Sequence, residues 1–187
     1  MFRVARFALP VLALCCLAPG AAAQDAPPPP APAPEKPAPP PPCSAPEYRQ
    51  FDFWLGEWDV VNQLVPPDKA PKATNRLTSL LGGCAMQEEY EAIAPRGTFT
   101  GTSLNFYDKG RKKWRQLWVD NQGNPLELEG GLEGDSMVLT SPDGKQRVTW
   151  TPLEGGKVRQ LWEGTPDGGK TWKAVFDGIY SPRHTAR

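Results

Sequence analysis

Short β-rich runs, interrupted again and again by turn-forming residues, leave this chain few folds to choose from. From residue 57 onward the runs fall at 57–65, 73–81, 84–92, 97–107, 112–120, 125–131, 135–140, 145–152, 157–163 and 170–180. Between them lie Pro66-Pro67-Asp68, Gly82-Gly83, Asp108-Lys109-Gly110, Asn121-Gln122-Gly123-Asn124, Gly134-Asp135, Pro142-Asp143-Gly144, Gly155-Gly156 and Pro166-Asp167-Gly168-Gly169. Each break supplies positive-φ positions or the preset φ of proline, so each reads as a turn. No helical period runs through the segment. Loops this short join antiparallel neighbours, and an open up-and-down sheet would leave two unpaired edges. The expected fold is all-β: an antiparallel up-and-down β-barrel of about 8–10 strands, closed on itself. One brief N-terminal helix is expected within residues 46–55.

Upstream of the runs the composition changes twice. Residues 1–23 carry Arg3 and Arg6, an apolar run from Phe7 to Leu17, and Ala21-Ala22-Ala23. A basic head, a short apolar stretch and small residues before a cleavage point describe a secretory signal peptide. The run is too short for a membrane span, and Leu14 before Cys15 is unlike the small residue that precedes a lipidated cysteine. Residues 24–46 are mostly Pro and Ala, which have little to bury and favour extended polyproline chain, so they read as a flexible linker. Residues 47–181 then form the barrel domain and 182–187 a tail. The expected location is periplasmic or secreted, with no membrane span once the signal is cleaved.

Charge and cysteine usage narrow the partners. The chain balances 21 basic against 21 acidic residues with no basic stripe, which argues against nucleic acid. Two of the four cysteines leave with the signal peptide, and Cys43 and Cys84 remain as an even pair in an oxidising compartment. A structural disulfide is expected. No CxxC spacing occurs and the sole histidine, His184, lies in the polar tail, so neither a metal site nor a cofactor is expected.

Two strands share a sub-motif, WRQLW at 114–118 and VRQLW at 158–162. Faces alternate along a strand, so Trp114, Gln116 and Trp118 share one side, as do Gln160 and Trp162. A dry core would rarely take a repeated glutamine among tryptophans, because an unpaired buried amide costs a few kcal/mol. A hollow, partly wet barrel accepts one. These five residues are therefore the candidate ligand-lining set, against the plainer reading that each glutamine bonds a neighbouring side chain. Glu88, on the same face as Met86 and Tyr90, joins them as a lining acid; pairing with an arginine is its commoner use.

The stretch FDFWLGEWDV at 51–60 mixes aromatics with Asp52, Glu57 and Asp59. Glu57 and Asp59 lie within the roughly 5–9.5 Å that glycosidase carboxylates require, but they face away from Trp58. Asp52 is placed to cap the short helix. Gly56-Glu57-Trp58 is similar to the G-x-W signature of lipocalin-like (calycin) barrels. There the tryptophan closes one end and often meets a basic side chain from a late strand, which implies barrel closure by Gly56 and Trp58. A wider match takes in FDFWLGEWDV, LGGC at 81–84, SLNFYD at 103–108, WVDNQG at 118–123, LEGGLEGDSMVL at 128–139, RVTWTPL at 147–153, VRQLWEGTPDGGKTW at 158–172 and FDGIY at 176–180. This series resembles a family of secreted bacterial proteins carrying a domain of unknown function with a lipocalin-like barrel. The resemblance implies a fold and a compartment and no reaction.

Two further motifs point elsewhere. Thr165 to Trp172 matches the Asp-box of sialidase propellers, a hairpin device without a catalytic group, and the unit is not repeated at blade spacing. His184 invites comparison with haem-binding barrels, but the glycine-rich N-terminal motif of those proteins is missing. The expected function is a non-enzymatic barrel that binds a small apolar or amphipathic molecule inside. The alternatives are a glycan-binding envelope module using exposed aromatics and a filled structural barrel.

Overall fold

The computed structural model describes residues 38–183; the expected signal peptide, most of the linker and His184 lie outside them. The strands are β1 (Gly56–Asn62), β2 (Lys72–Leu80), β3 (Ala85–Ala94), β4 (Gly97–Asp108), β5 (Lys113–Asp120), β6 (Pro125–Glu133), β7 (Ser136–Thr140), β8 (Gln146–Pro152), β9 (Val158–Gly164) and β10 (Lys173–Pro182). Each pairs antiparallel with the next, and β10 returns to β1, with Val60 opposite Tyr180, so the sheet closes as expected. Closure removes both edges.

Where boundaries differ from the sequence reading, local side-chain chemistry is the cause. β1 stops at Asn62 because its Oδ1 accepts the Leu64 N–H at 3.1 Å, an Asx turn that ends the ladder. β10 starts only at Lys173 because Asp167 holds the preceding loop: its Oδ1 accepts the Thr171 N–H at 2.8 Å, and Thr165 Oγ1 accepts the Gly169 N–H at 2.8 Å. The Asp-box is thus a self-bonded turn on a barrel hairpin. The expected short helix is two 3₁₀ turns, Pro46–Arg49 and Asp52–Trp54. Asp52 does not cap it: the residue lies inside the second turn and pairs with Arg49 at 3.3 Å.

These turns plug one end of the barrel. Phe51 stacks on Trp54 at 5.0 Å and meets Trp114 and Trp150 edge-on at 5.6 and 5.2 Å. Trp58 is 4% exposed and donates its indole N–H to the Trp54 carbonyl at 3.0 Å. It is packed into this closed end. Arg183, just beyond β10, pairs its guanidinium with Asp59 on the outer face, at 3.2 Å. The Cys43–Cys84 disulfide, with Cα atoms 5.1 Å apart, ties the chain entering the plug to the β2–β3 turn. The Arg49 guanidinium donates to the Gly83 carbonyl beside it. A Cβ at Gly83 would come within 2.6 Å of that guanidinium, so the contact needs a residue without a side chain.

Candidate functional site

Odd-numbered strands run from the plugged end towards the other end, and this direction sets the depth of every inward side chain. In both WRQLW and VRQLW the first residue lies deepest, the glutamine in the middle and the last tryptophan nearest the opening. The arginines and leucines point outward. Arg115 pairs with Glu127 and Arg159 with Asp177, the latter at 2.8 Å, across neighbouring strands. Period-two alternation thus separates an ion-paired outer face from an inner one that carries Gln and Trp.

The inner face encloses a cavity of about 360 Å³ open at the unplugged end. That volume lies in the range of small-molecule pockets. Of the candidate lining residues, Gln116, Trp118, Gln160, Trp162 and Glu88 border it. Trp114 does not. It sits one inward step deeper than Gln116, is 2% exposed, and its indole N–H donates to the plug, at 3.1 Å to Gln50 Oε1 and 3.2 Å to the Glu47 carbonyl. Its counterpart Val158 is equally buried in the closed end. Facing inward was not sufficient to line the cavity, because the plug fills the deep end of the barrel.

The floor of the cavity is polar. Glu88 is 2% exposed and accepts hydrogen bonds from Asn75 Nδ2 at 2.9 Å, Ser103 Oγ at 2.6 Å and Gln116 Nε2 at 3.4 Å. Asn105 Nδ2 donates to Ser103 Oγ at 2.8 Å and extends the network. The arginine partner expected for a buried acid is absent among the described residues, and neutral donors satisfy the carboxylate instead. Burial pushes Glu88 up to about 7, against the opposing pull of the Ser103 and Asn75 hydrogen bonds. Gln160 accepts a hydrogen bond from the Tyr180 hydroxyl. Both glutamines therefore combine the two readings: each bonds a neighbour and each borders the cavity.

Above this floor the wall is aromatic. Tyr90 is the hub, with ring centroids 6.1 Å from Phe99, 6.4 Å from Trp118 and 6.4 Å from Phe176, all in edge-to-face geometry. Trp118 lies flat over Gly101, where a Cβ would fall 2.0 Å from the indole. Trp162 is held by its N–H to Gln146 Oε1 at 2.9 Å. At the rim Asp120 accepts the Gln122 and Asn124 N–H groups at 2.9 and 3.0 Å.

Sequence reasoning missed Phe99, Phe176, Ser103 and Asn105. On β4 the alternation misleads: Leu104 is exposed and Ser103 and Asn105 are buried, the reverse of a dry core. The available signal was the pairing of a polar inward face on β4 with Glu88 and Gln116 on its neighbours. Glu57 and Asp59 both lie exposed on the outer surface, remote from the cavity, and do not form a cleft pair.

No curated protein matches this chain. Residues 45–159 match the family described as "Protein of unknown function (DUF1579)", a span from the plug through β8 to the start of β9. The chain belongs to that family, and its fold is the lipocalin-like barrel that the ordered sequence blocks implied.

Proposed function

We propose that this protein is exported to the periplasm or beyond and, without catalysing a reaction, binds a small apolar or amphipathic molecule inside its barrel. The observation that carries the reading is a one-ended cavity of about 360 Å³, closed below by an aromatic plug and walled by Tyr90, Phe99, Trp118 and Phe176 over a hydrogen-bonded polar floor. Aromatic side chains supply most of the contact area in such a pocket, and a few polar groups orient the ligand. The disulfide supports an oxidising compartment. A glycan platform has less behind it, because the seven tryptophans are all buried or half-buried.

Trp118 provides the test. It lines the cavity, and no indole hydrogen bond ties it to the plug. Trp118→Ala is expected to weaken binding of a neutral apolar probe, followed by calorimetry, by more than tenfold, since a large aromatic contact is worth more than about 1.4 kcal/mol. Unchanged affinity in a folded variant, or no binding by the parent protein, would overturn the reading and leave a structural barrel without a ligand as its replacement.

A further inference from the structure

Charge inside the cavity has one sign. Of the residues that border it, Glu88 and Asp120 are the charged ones, one in the floor and one at the rim, and no lysine, arginine or histidine borders it among the described residues. Lys69, Arg96, Lys145 and Lys170 sit on loops at the open end, but none of them lines the cavity. Neither carboxylate has a cationic partner within ion-pair distance among the described residues. Glu88 is nonetheless buried, in a setting where an unpaired charge is costly. Three neutral donors offset part of that cost, and a positive charge arriving from the cavity would offset more.

The wall favours the same sign. The faces of aromatic rings attract cations, Trp and Tyr most strongly, and the attraction grows when the cation is desolvated. Tyr90, Phe99, Trp118 and Phe176 converge on the space directly above Glu88. We propose that the interior ligand is an organic cation: an amine, protonated or quaternary, on an apolar body that lies among these four rings with its nitrogen towards Glu88. This deepens the binding function proposed above and rests on it. A ligand carboxylate would meet two like charges and no counter-ion, so the same geometry selects against fatty acids.

The pairing implies a pH dependence. The groups facing Glu88 are Asn75 from β2, Tyr90 on its own strand, Ser103 and Asn105 from β4, Gln116 from β5 and Tyr180 from β10. Only the two tyrosines titrate. Burial pushes Tyr90 up to about 12 and Tyr180 well above its ordinary value, so both stay neutral near pH 7. Asp120 is held below its ordinary value, chiefly by the backbone N–H of Asn124, and stays charged. Of these groups Glu88 alone changes charge between pH 6 and pH 8, and it is ionised at the upper end.

Three probes with one apolar body and different heads test the proposal: 2-naphthylmethylamine, 2-naphthylmethanol and 2-naphthoate, each titrated calorimetrically into the full chain. At pH 8 the amine is expected to bind at least tenfold more tightly than the alcohol, with the carboxylate weakest. Moving to pH 6 should weaken the amine by about tenfold, the change in the ionised fraction of a group titrating at about 7, and leave the alcohol unchanged. Glu88→Gln should remove both the preference for the amine over the alcohol and its pH response, with folding of the variant checked separately by circular dichroism. Should that variant fail to fold, the head-group order and the pH response of the parent protein decide alone. Equal binding of amine and alcohol, or a preference for the carboxylate, overturns the cation proposal and leaves the binding function standing. Failure of all three probes overturns both.

Discussion

Burial of Glu88 couples folding to pH. Its carboxyl titrates at 4.5 when unperturbed and at about 7 in the folded protein, with burial as the main cause. Between those values the folded state binds more protons than the unfolded chain, so stability falls as pH rises through that window and levels off above it. At about 1.4 kcal/mol per pH unit the loss amounts to roughly 3 kcal/mol. Glu88→Gln keeps the shape and removes the ionisation. Urea denaturation should therefore show the variant gaining on the parent protein by a few kcal/mol at pH 8 compared with pH 5. A difference that does not change with pH would sink the account of an unpaired buried acid. Sequence alone placed Glu88 on the face of Met86 and Tyr90. The partners that set its chemistry, Asn75, Ser103 and Gln116, come from three other strands and become neighbours only through register.

Among elements, the two Arg-Gln-Leu-Trp strands show how far a period-two reading reaches. Alternation assigned Gln116, Trp118, Gln160 and Trp162 to one face of each strand, and that face proved to be the inner one. Depth along the barrel axis is a separate coordinate that alternation does not contain, and it removed Trp114 from the cavity wall. The β2–β3 turn offers a test at this scale. Its Cys84 reaches back to Cys43 across a sequence separation of 41, and closing a loop of that length contributes about 4 kcal/mol in the chain-entropy picture. Cys84→Ser should lower stability by up to that amount, and reductant should reproduce the loss in the parent protein. Two free thiols by mass spectrometry after non-reducing alkylation of mature protein would remove the bridge itself. Arg49, donating to the Gly83 carbonyl, should keep the plug partly seated after reduction, so the barrel itself is expected to persist.

The whole molecule divides into a filled end and a hollow one. Phe51, Trp54, Trp58, Trp114 and Trp150 pack the plug, with Tyr180 at its upper boundary. The cavity begins where Glu88 and the glutamines replace them. A division of this kind lets stability and binding be perturbed separately. Trp58→Ala should cost about 3–5 kcal/mol through the space it leaves in a packed end. It should change the affinity for an apolar probe by less than twofold, because Trp58 does not line the cavity. Thermal denaturation and calorimetry on the same variant check both halves. A large loss of affinity in a folded Trp58→Ala protein would mean that plug and cavity act as one unit.

The sequence by itself determined the closed all-β barrel, the place of nearly every strand, the Cys43–Cys84 bridge and the burial of Trp58 at one end. The barrel and its strands follow from local turn chemistry, period-two alternation and the need to eliminate sheet edges; the bridge follows from an even cysteine pair, and the place of Trp58 from the G-x-W resemblance. Tertiary structure alone decided where the plug stops, and hence that Trp118 borders the cavity and Trp114 does not. It also decided that Ser103 and Asn105 point inward while Leu104 faces water. The polar floor is assembled from side chains of four strands that bond one another around Glu88, although the Asn75 and Asn105 Oδ1 atoms find no partner among the described residues, and a single strand carries no trace of that network.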